Sequence, residues 1–244
     1  MIKKNKVFKM FLLFVMSIFI LCACGVDEID TTESIENNTE VYEEIKIEQT
    51  GWVANLKVAQ ETNQILTVVA KDNTAVASLY EKDKEGIWNE ILSTQAKIGR
   101  NGIGKTKEGD GKTPSGKYHF TFAFGIKENP GTSFEYVKVD DSFYWVDDSD
   151  SKFYNQFVSM NSVEKDWDSA EHILSAEESY HYVLATDYNI ECEPGKGSAI
   201  FMHCTPTGGA GCIAIPEEYM IAILQRIDED CILIIDDESN ISTY

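Results

Sequence analysis

With 244 residues the chain has room for one medium domain or two small ones. Its formal charge of −20 and its two arginines, Arg100 and Arg226, exclude nucleic acid as a partner, since phosphate binding needs clustered Lys and Arg. Such acidity suits solubility, and it is compatible with a substrate that carries an amine.

In chain order, the first element stands outside the fold. Lys3, Lys4, Lys6 and Lys9 precede an apolar run from Phe11 to Leu21, the layout of a secretory signal and too short for a comfortable membrane span. The run ends in Leu21-Cys-Ala-Cys24-Gly25, which resembles a bacterial lipoprotein lipobox. That resemblance implies cleavage before Cys24, lipid on Cys24, and attachment to the cell membrane facing the wall side. Residues 1–24 are thus expected to be a lipoprotein signal peptide, and losing its four lysines takes the formal charge from −20 to −24. Residues 25–50 are rich in Asp, Glu, Asn and Thr, with few large apolar residues. They bury too little surface to offset their ordering entropy and read as an acidic, flexible tether. Residues 51–244 remain as the folded domain.

Within that domain, short β-rich runs alternate with turn residues. The pattern predicts strands over 64–70, 74–80, 118–124, 182–186 and 198–203, with Gly, Pro, Asn and Asp clusters turning the chain between them. Pro216 suits a first helical position, Glu217 and Glu218 suit the positive helix end, and Met220, Ile223, Leu224 and Ile227 follow at helical spacing. A last strand is expected at 231–235, where Cys231 reads as a buried, inert thiol. The aromatics between Phe134 and Trp145 read as core more readily than as a ligand platform. No cysteine pairing follows from the spacing of Cys192, Cys204, Cys212 and Cys231, and the role of Cys192 is open.

The chemistry concentrates in Ile200-Phe-Met-His203-Cys204-Thr-Pro-Thr207-Gly-Gly-Ala-Gly211-Cys212-Ile-Ala-Ile-Pro216. A strand delivers His203, a loop of small residues follows, and Cys212 stands before the next apolar run. A nucleophilic thiol needs a base, which His203 supplies, and room for a carbonyl to approach. The glycines allow backbone N–H groups to converge on an oxyanion, at about 3 kcal/mol per donor. The Gly211 and Cys212 amides are the candidates. Cys204 follows His203 directly, so on a strand it faces the other way. These residues match no usual zinc spacing, and neither metal nor cofactor is expected. Gly99-Arg-Asn-Gly-Ile-Gly-Lys105-Thr106 satisfies the phosphate-loop pattern literally, but Gly109, Gly111 and Pro114 follow where that motif requires a helix.

The His203…Gly211-Cys212-Ile-Ala-Ile-Pro run resembles the signature of L,D-transpeptidase catalytic domains of the YkuD type, in the branch with a T-x-G-C form. Ile98–Gly104, Glu108–Phe120, Ala123–Gly125, Tyr180–Tyr182, Asp187–Asn189 and Gly195–Phe201 resemble the family's upstream blocks, in order, over roughly residues 60–235. The chain departs from the commonest pattern at Gly209 and Ala210 and in a shorter His-to-Cys gap. The resemblance implies a mainly β fold, a mixed, largely antiparallel β-sandwich with a short C-terminal helix. It implies peptidoglycan stem peptides as substrate, Cys212 as nucleophile and His203 as general base, with the Gly211 backbone in the oxyanion hole. Thioester formation at Cys212 would release D-Ala and lead to a 3→3 cross-link. His181, Tyr182 and Thr207 are candidate substrate contacts, with a structural role for His181 equally open. An L,D-carboxypeptidase-type hydrolase and a catalytically silent wall-binding lipoprotein remain as alternatives. A free Cys212 thiol favours an enzyme over the silent domain.

Overall fold

The computed structural model describes residues 51–204 and 209–244. The signal segment, the tether, Cys24 and Thr207 lie outside the described residues. Twelve strands form: β1 (Gln64–Lys71), β2 (Thr74–Lys82), β3 (Trp88–Lys97), β4 (Gly116–Gly125), β5 (Tyr136–Lys138) and β6 (Phe143–Val146), then β7 (Phe157–Ser159), β8 (Ala170–His172), β9 (Val183–Thr186), β10 (Phe201–His203), β11 (Ile213–Ala214) and β12 (Ile232–Asp237). Helix α1 (Glu217–Leu224) has Pro216 as its N-cap, one position before the expected place.

Nine strands make one sheet in the order β12-β1-β2-β3-β11-β10-β9-β4-β5, and β12 also pairs with β4. The sheet therefore returns on itself and leaves few edges to protect. Only β1–β12, β10–β11 and β4–β5 run parallel. The mainly β, largely antiparallel architecture expected from the sequence is what the chain forms.

Period-two alternation explains why it does so. Leu66, Val68, Leu184, Met202, Leu233 and Ile235 point into one core, which α1 covers with Met220, Ile223 and Leu224. The intervening Ile65, Ile232 and Ile234 face a second cluster with Val53, Leu56 and Trp88. Val183, Ala185 and Phe201 face a third, with Phe124, Trp145 and Tyr180. Burial of each large apolar side chain contributes roughly 1.5–3 kcal/mol.

A separate three-stranded sheet, β7-β6-β8, leans on that third cluster. Trp145 of β6 faces Phe201 of the main sheet edge to face, with centroids 4.6 Å apart. The aromatics of 134–145 are indeed largely core: Phe134 is buried in the first cluster, Trp145 in the third, and Phe143 packs against the third.

Strands β3, β5 to β8 and β11 lie outside the expected set, and two of the differences from the expected elements have identifiable causes. The strand expected over 198–203 begins only at Phe201, because Gly197 and Ala199 hold φ of 116° and 53° and bend the chain. Strand β3 was not anticipated, because Asn89, Glu90, Ser93 and Gln95 interrupt its apolar residues. It is held by its pairing with β2 over the length of both strands.

Candidate active site

Strands β10 and β11 lie side by side and parallel, with Met202 opposite Ile213 and His203 opposite Ala214. This register brings Cys212, just before β11, alongside Phe201. The Phe201 amide donates to Cys212 Sγ at 3.4 Å, and the Cys212 thiol donates to the Ala199 carbonyl at 3.1 Å. Alternation then sorts the neighbours. Phe201 and Cys212 share the aromatic cluster, whereas Met202 and Cys204 belong to the core behind the sheet. Cys204 therefore faces away from the site, as its position beside His203 requires, and its thiol donates to the Tyr182 carbonyl.

Cys212 and His203 line one cavity of about 460 Å³. Its wall also contains the backbone of Gly209, Ala210 and Gly211, and the side chains of Lys105, Glu171 and Tyr180. Cys212 is 8% exposed and His203 5%. Burial pushes the Cys212 thiol up to about 12, with the nearby Glu171 charge adding to the effect and the Phe201 amide opposing it. Burial likewise pushes the His203 imidazole down to about 4. The resting pair is therefore a neutral thiol beside a neutral imidazole. His203 Nδ1 is buried with no hydrogen-bond partner among the described residues, which leaves a ring nitrogen free for a proton. All four cysteines of the domain, Cys192, Cys204, Cys212 and Cys231, are free thiols.

Gly211 is required by space. A Cβ there would lie 2.7 Å from the Lys112 carbonyl and 3.0 Å from Ile200 Cδ1. The loop from Gly99 to Thr113 backs this position. Its Lys105 and Asp110 form an ion pair at 3.0 Å, with side chains only 3% and 8% exposed. Asp110 also accepts hydrogen bonds from the amides of Thr106, Lys107 and Lys112. Its carboxylate thus occupies the centre that a phosphate would need, and strand β4 follows rather than a helix. The literal phosphate-loop match is a wall of the cavity.

The structure brings Cys212, His203 and Gly211 together. It places His181 and Tyr182 elsewhere. His181 Nδ1 pairs with Glu217 Oε2 at 2.7 Å, at the start of α1. Tyr182 is buried in the core behind the sheet. The chain turns between Tyr180 and Tyr182, so only Tyr180 of that block reaches the cavity. Glu171, on short β8, could not be singled out from sequence, because its site neighbours are supplied by pairing with β6. Among the described residues, no group of three or more His, Cys, Asp or Glu is placed to hold a metal.

The model of the L,D-transpeptidase catalytic domain, YkuD, matches residues 63–235. The chain belongs to this family. Residues 63–235 include the cavity, both strands that position His203 and Cys212, and all of α1. Among solved structures, the helical cell shape determining protein Pgp2 from Campylobacter jejuni is similar at 18% identity and a TM-score of 0.38. The match covers 71% of this chain and 47% of that one, so the chain spans about half that protein's length. No curated protein matches the chain at a significant level. The L,D-transpeptidase domain thus comprises the closed main sheet with the small sheet between β5 and β9.

Proposed function

We propose that the protein is a peptidoglycan L,D-transpeptidase that works through a Cys212 thioester. The observation that carries this reading is the shared cavity of a free Cys212 thiol and an unpartnered His203 nitrogen within an L,D-transpeptidase domain. In the reaction, His203 takes the thiol proton as Sγ attacks the carbonyl carbon of the third, L-centred stem residue. The backbone around Gly211 stabilises the oxyanion. The carbon–nitrogen bond to D-Ala breaks, and the leaving amine takes the proton back from the imidazolium. A side-chain amine of a second stem then attacks the thioester and gives its proton to His203. Sγ leaves as thiolate and is reprotonated, and the new amide is a 3→3 cross-link.

Neutral resting groups suit this sequence. A free thiolate would be open to oxidation outside the cytoplasm, whereas the buried neutral pair ionises only as Sγ attacks and His203 takes its proton. On this reading lipid on Cys24 anchors the enzyme to the membrane, and residues 25–50 let it reach the wall. Cys24→Ala then moves the protein from the membrane fraction to the soluble one.

The test is intact-protein mass spectrometry with a disaccharide-tetrapeptide, alongside Cys212→Ala. A tripeptide adduct and released D-Ala in the wild type alone support the thioester. Dimer product identifies transfer, and free tripeptide product identifies a hydrolase. Absence of adduct, D-Ala and product with a titratable Cys212 thiol overturns the enzyme reading in favour of a wall-binding domain.

A further inference from the structure

We infer that Glu171 and Tyr180 form a positioning pair that holds the His203 imidazole for proton transfer, a role that rests on His203 being the base. A catalytic imidazole needs a fixed ring, which a third polar group ordinarily supplies through a hydrogen bond. His203 Nδ1 has no such partner among the described residues. What meets the ring instead is Tyr180, edge to face, with centroids 5.6 Å apart at 83°.

Tyr180 is itself held on every side. Phe124 and Phe201 meet its ring edge to face at 6.2 and 5.9 Å. Its amide donates to the Ala176 carbonyl, and its carbonyl accepts from the Ile126 amide, both at 2.9 Å. The hydroxyl donates to Glu171 Oε2. Burial and the Glu171 charge hold the Tyr180 hydroxyl well above its ordinary titration range, so it stays a donor.

Glu171 comes from the other sheet, on β8 opposite Trp145. The small sheet thereby reaches the base through one carboxylate and one phenol. The charged groups that face Glu171 across the cavity are Glu108, Asp147 and Lys105, and Lys105 is already paired with Asp110. Holding a half-buried carboxylate without a cationic partner costs free energy. Fixing Tyr180 against His203 is the return on that cost.

The test uses the full chain in detergent and two readouts. One is kcat and KM for D-Ala release from the disaccharide-tetrapeptide. The other is the pH profile of Cys212 alkylation by iodoacetamide, which needs no natural substrate. Tyr180→Phe keeps the ring and loses the donor, and should slow both by about tenfold with KM within twofold. Tyr180→Leu should slow them by about 10²-fold, the lower end of what a positioned base contributes. In a Glu171→Leu background Tyr180→Phe should cost nothing further, whereas beside Glu171→Gln, which retains an acceptor, it should still cost about tenfold.

Equal cost of Tyr180→Phe with and without the Glu171 side chain overturns the pairing. So do wild-type values of both readouts in folded Tyr180→Phe and Tyr180→Leu. If Tyr180→Leu fails to fold, the isosteric Tyr180→Phe decides. If alkylation responds as expected while no D-Ala is released by wild type, the pair stands and the substrate assignment fails.

Discussion

The Cys212 thiol donates its proton to the Ala199 carbonyl at 3.1 Å, while the Phe201 amide points at the same sulfur from 3.4 Å. The sulfur thus rests between an acceptor that keeps it protonated and a donor that favours the thiolate. Ala199 can present its carbonyl this way because its backbone adopts φ of 53° at the bend before β10. On the proposed mechanism the Cys212 proton passes from its bond with the Ala199 carbonyl to His203, after which the Phe201 amide remains to hold the anion.

Cys212 should therefore alkylate slowly at neutral pH. Burial pushes its thiol up to about 12, so the rate in the folded protein should keep climbing beyond pH 9. In denaturant the profile should level near the ordinary thiol value of about 8.5. Peptide mass spectrometry after timed iodoacetamide pulses checks both curves. A folded-state profile that levels below pH 8 would contradict the neutral resting pair.

His203 should make the fold acid-sensitive in a defined window. Burial lowers its folded value from 6.5 to about 4, so the unfolded chain binds the proton first as pH falls. Stability tied to this residue is whole above pH 6.5 and is lost progressively down to pH 4, by about 3 kcal/mol in total. His203→Gln should remove this slope. Melting temperatures of wild type and variant between pH 7 and 4 should converge at the acid end once other titrations, common to both, are subtracted.

Gly211→Ala should damage both fold and site. Its Cβ would meet the Lys112 carbonyl at 2.7 Å, a backbone atom that cannot step aside alone. Overpacking of this kind costs about 1–3 kcal/mol, and the shift would carry Cys212 with it. Urea unfolding should show a lower midpoint, and D-Ala release should fall by more than tenfold. Gly209→Ala, where a Cβ meets nothing within 4 Å, is the matched comparison and should unfold at the wild-type midpoint.

Asp110→Asn should destabilise the loop behind Gly211 and Cys212. It removes the charge that pairs with buried Lys105 and that three amides address. Leaving one buried charge unpaired costs about 3 kcal/mol or more. A thermal scan should register the loss, and Cys212 alkylation at pH 7 should rise because Lys105 is released toward the thiol.

Much of the domain was legible from residue order. Strands β1, β2, β4, β9 and β12 follow from short runs rich in β-branched and aromatic residues, and helix α1 from its helical spacing of apolar residues. Strand β3 did not, because its polar residues hide a pattern that only pairing with β2 completes. The proposed nucleophile Cys212 and base His203 stood out in the sequence because one glycine-rich loop joins them. His181 and Tyr182 were candidate substrate contacts, with a structural role for His181 equally open, and a turn directs His181 to Glu217 and Tyr182 into the core.

What the sequence determined by itself was the chemistry available: a cysteine, an imidazole and a loop of small residues close enough in the chain to meet. Those facts are local, because strand alternation and glycine sterics act over a few residues. Tertiary structure alone decided the environment of that chemistry. Tyr180 reaches His203, Glu171 reaches Tyr180, and Lys105 reaches Gly211, only because separate sheets and a distant loop close over one cavity. The same closure excludes water, and that exclusion sets the thiol high and the imidazole low.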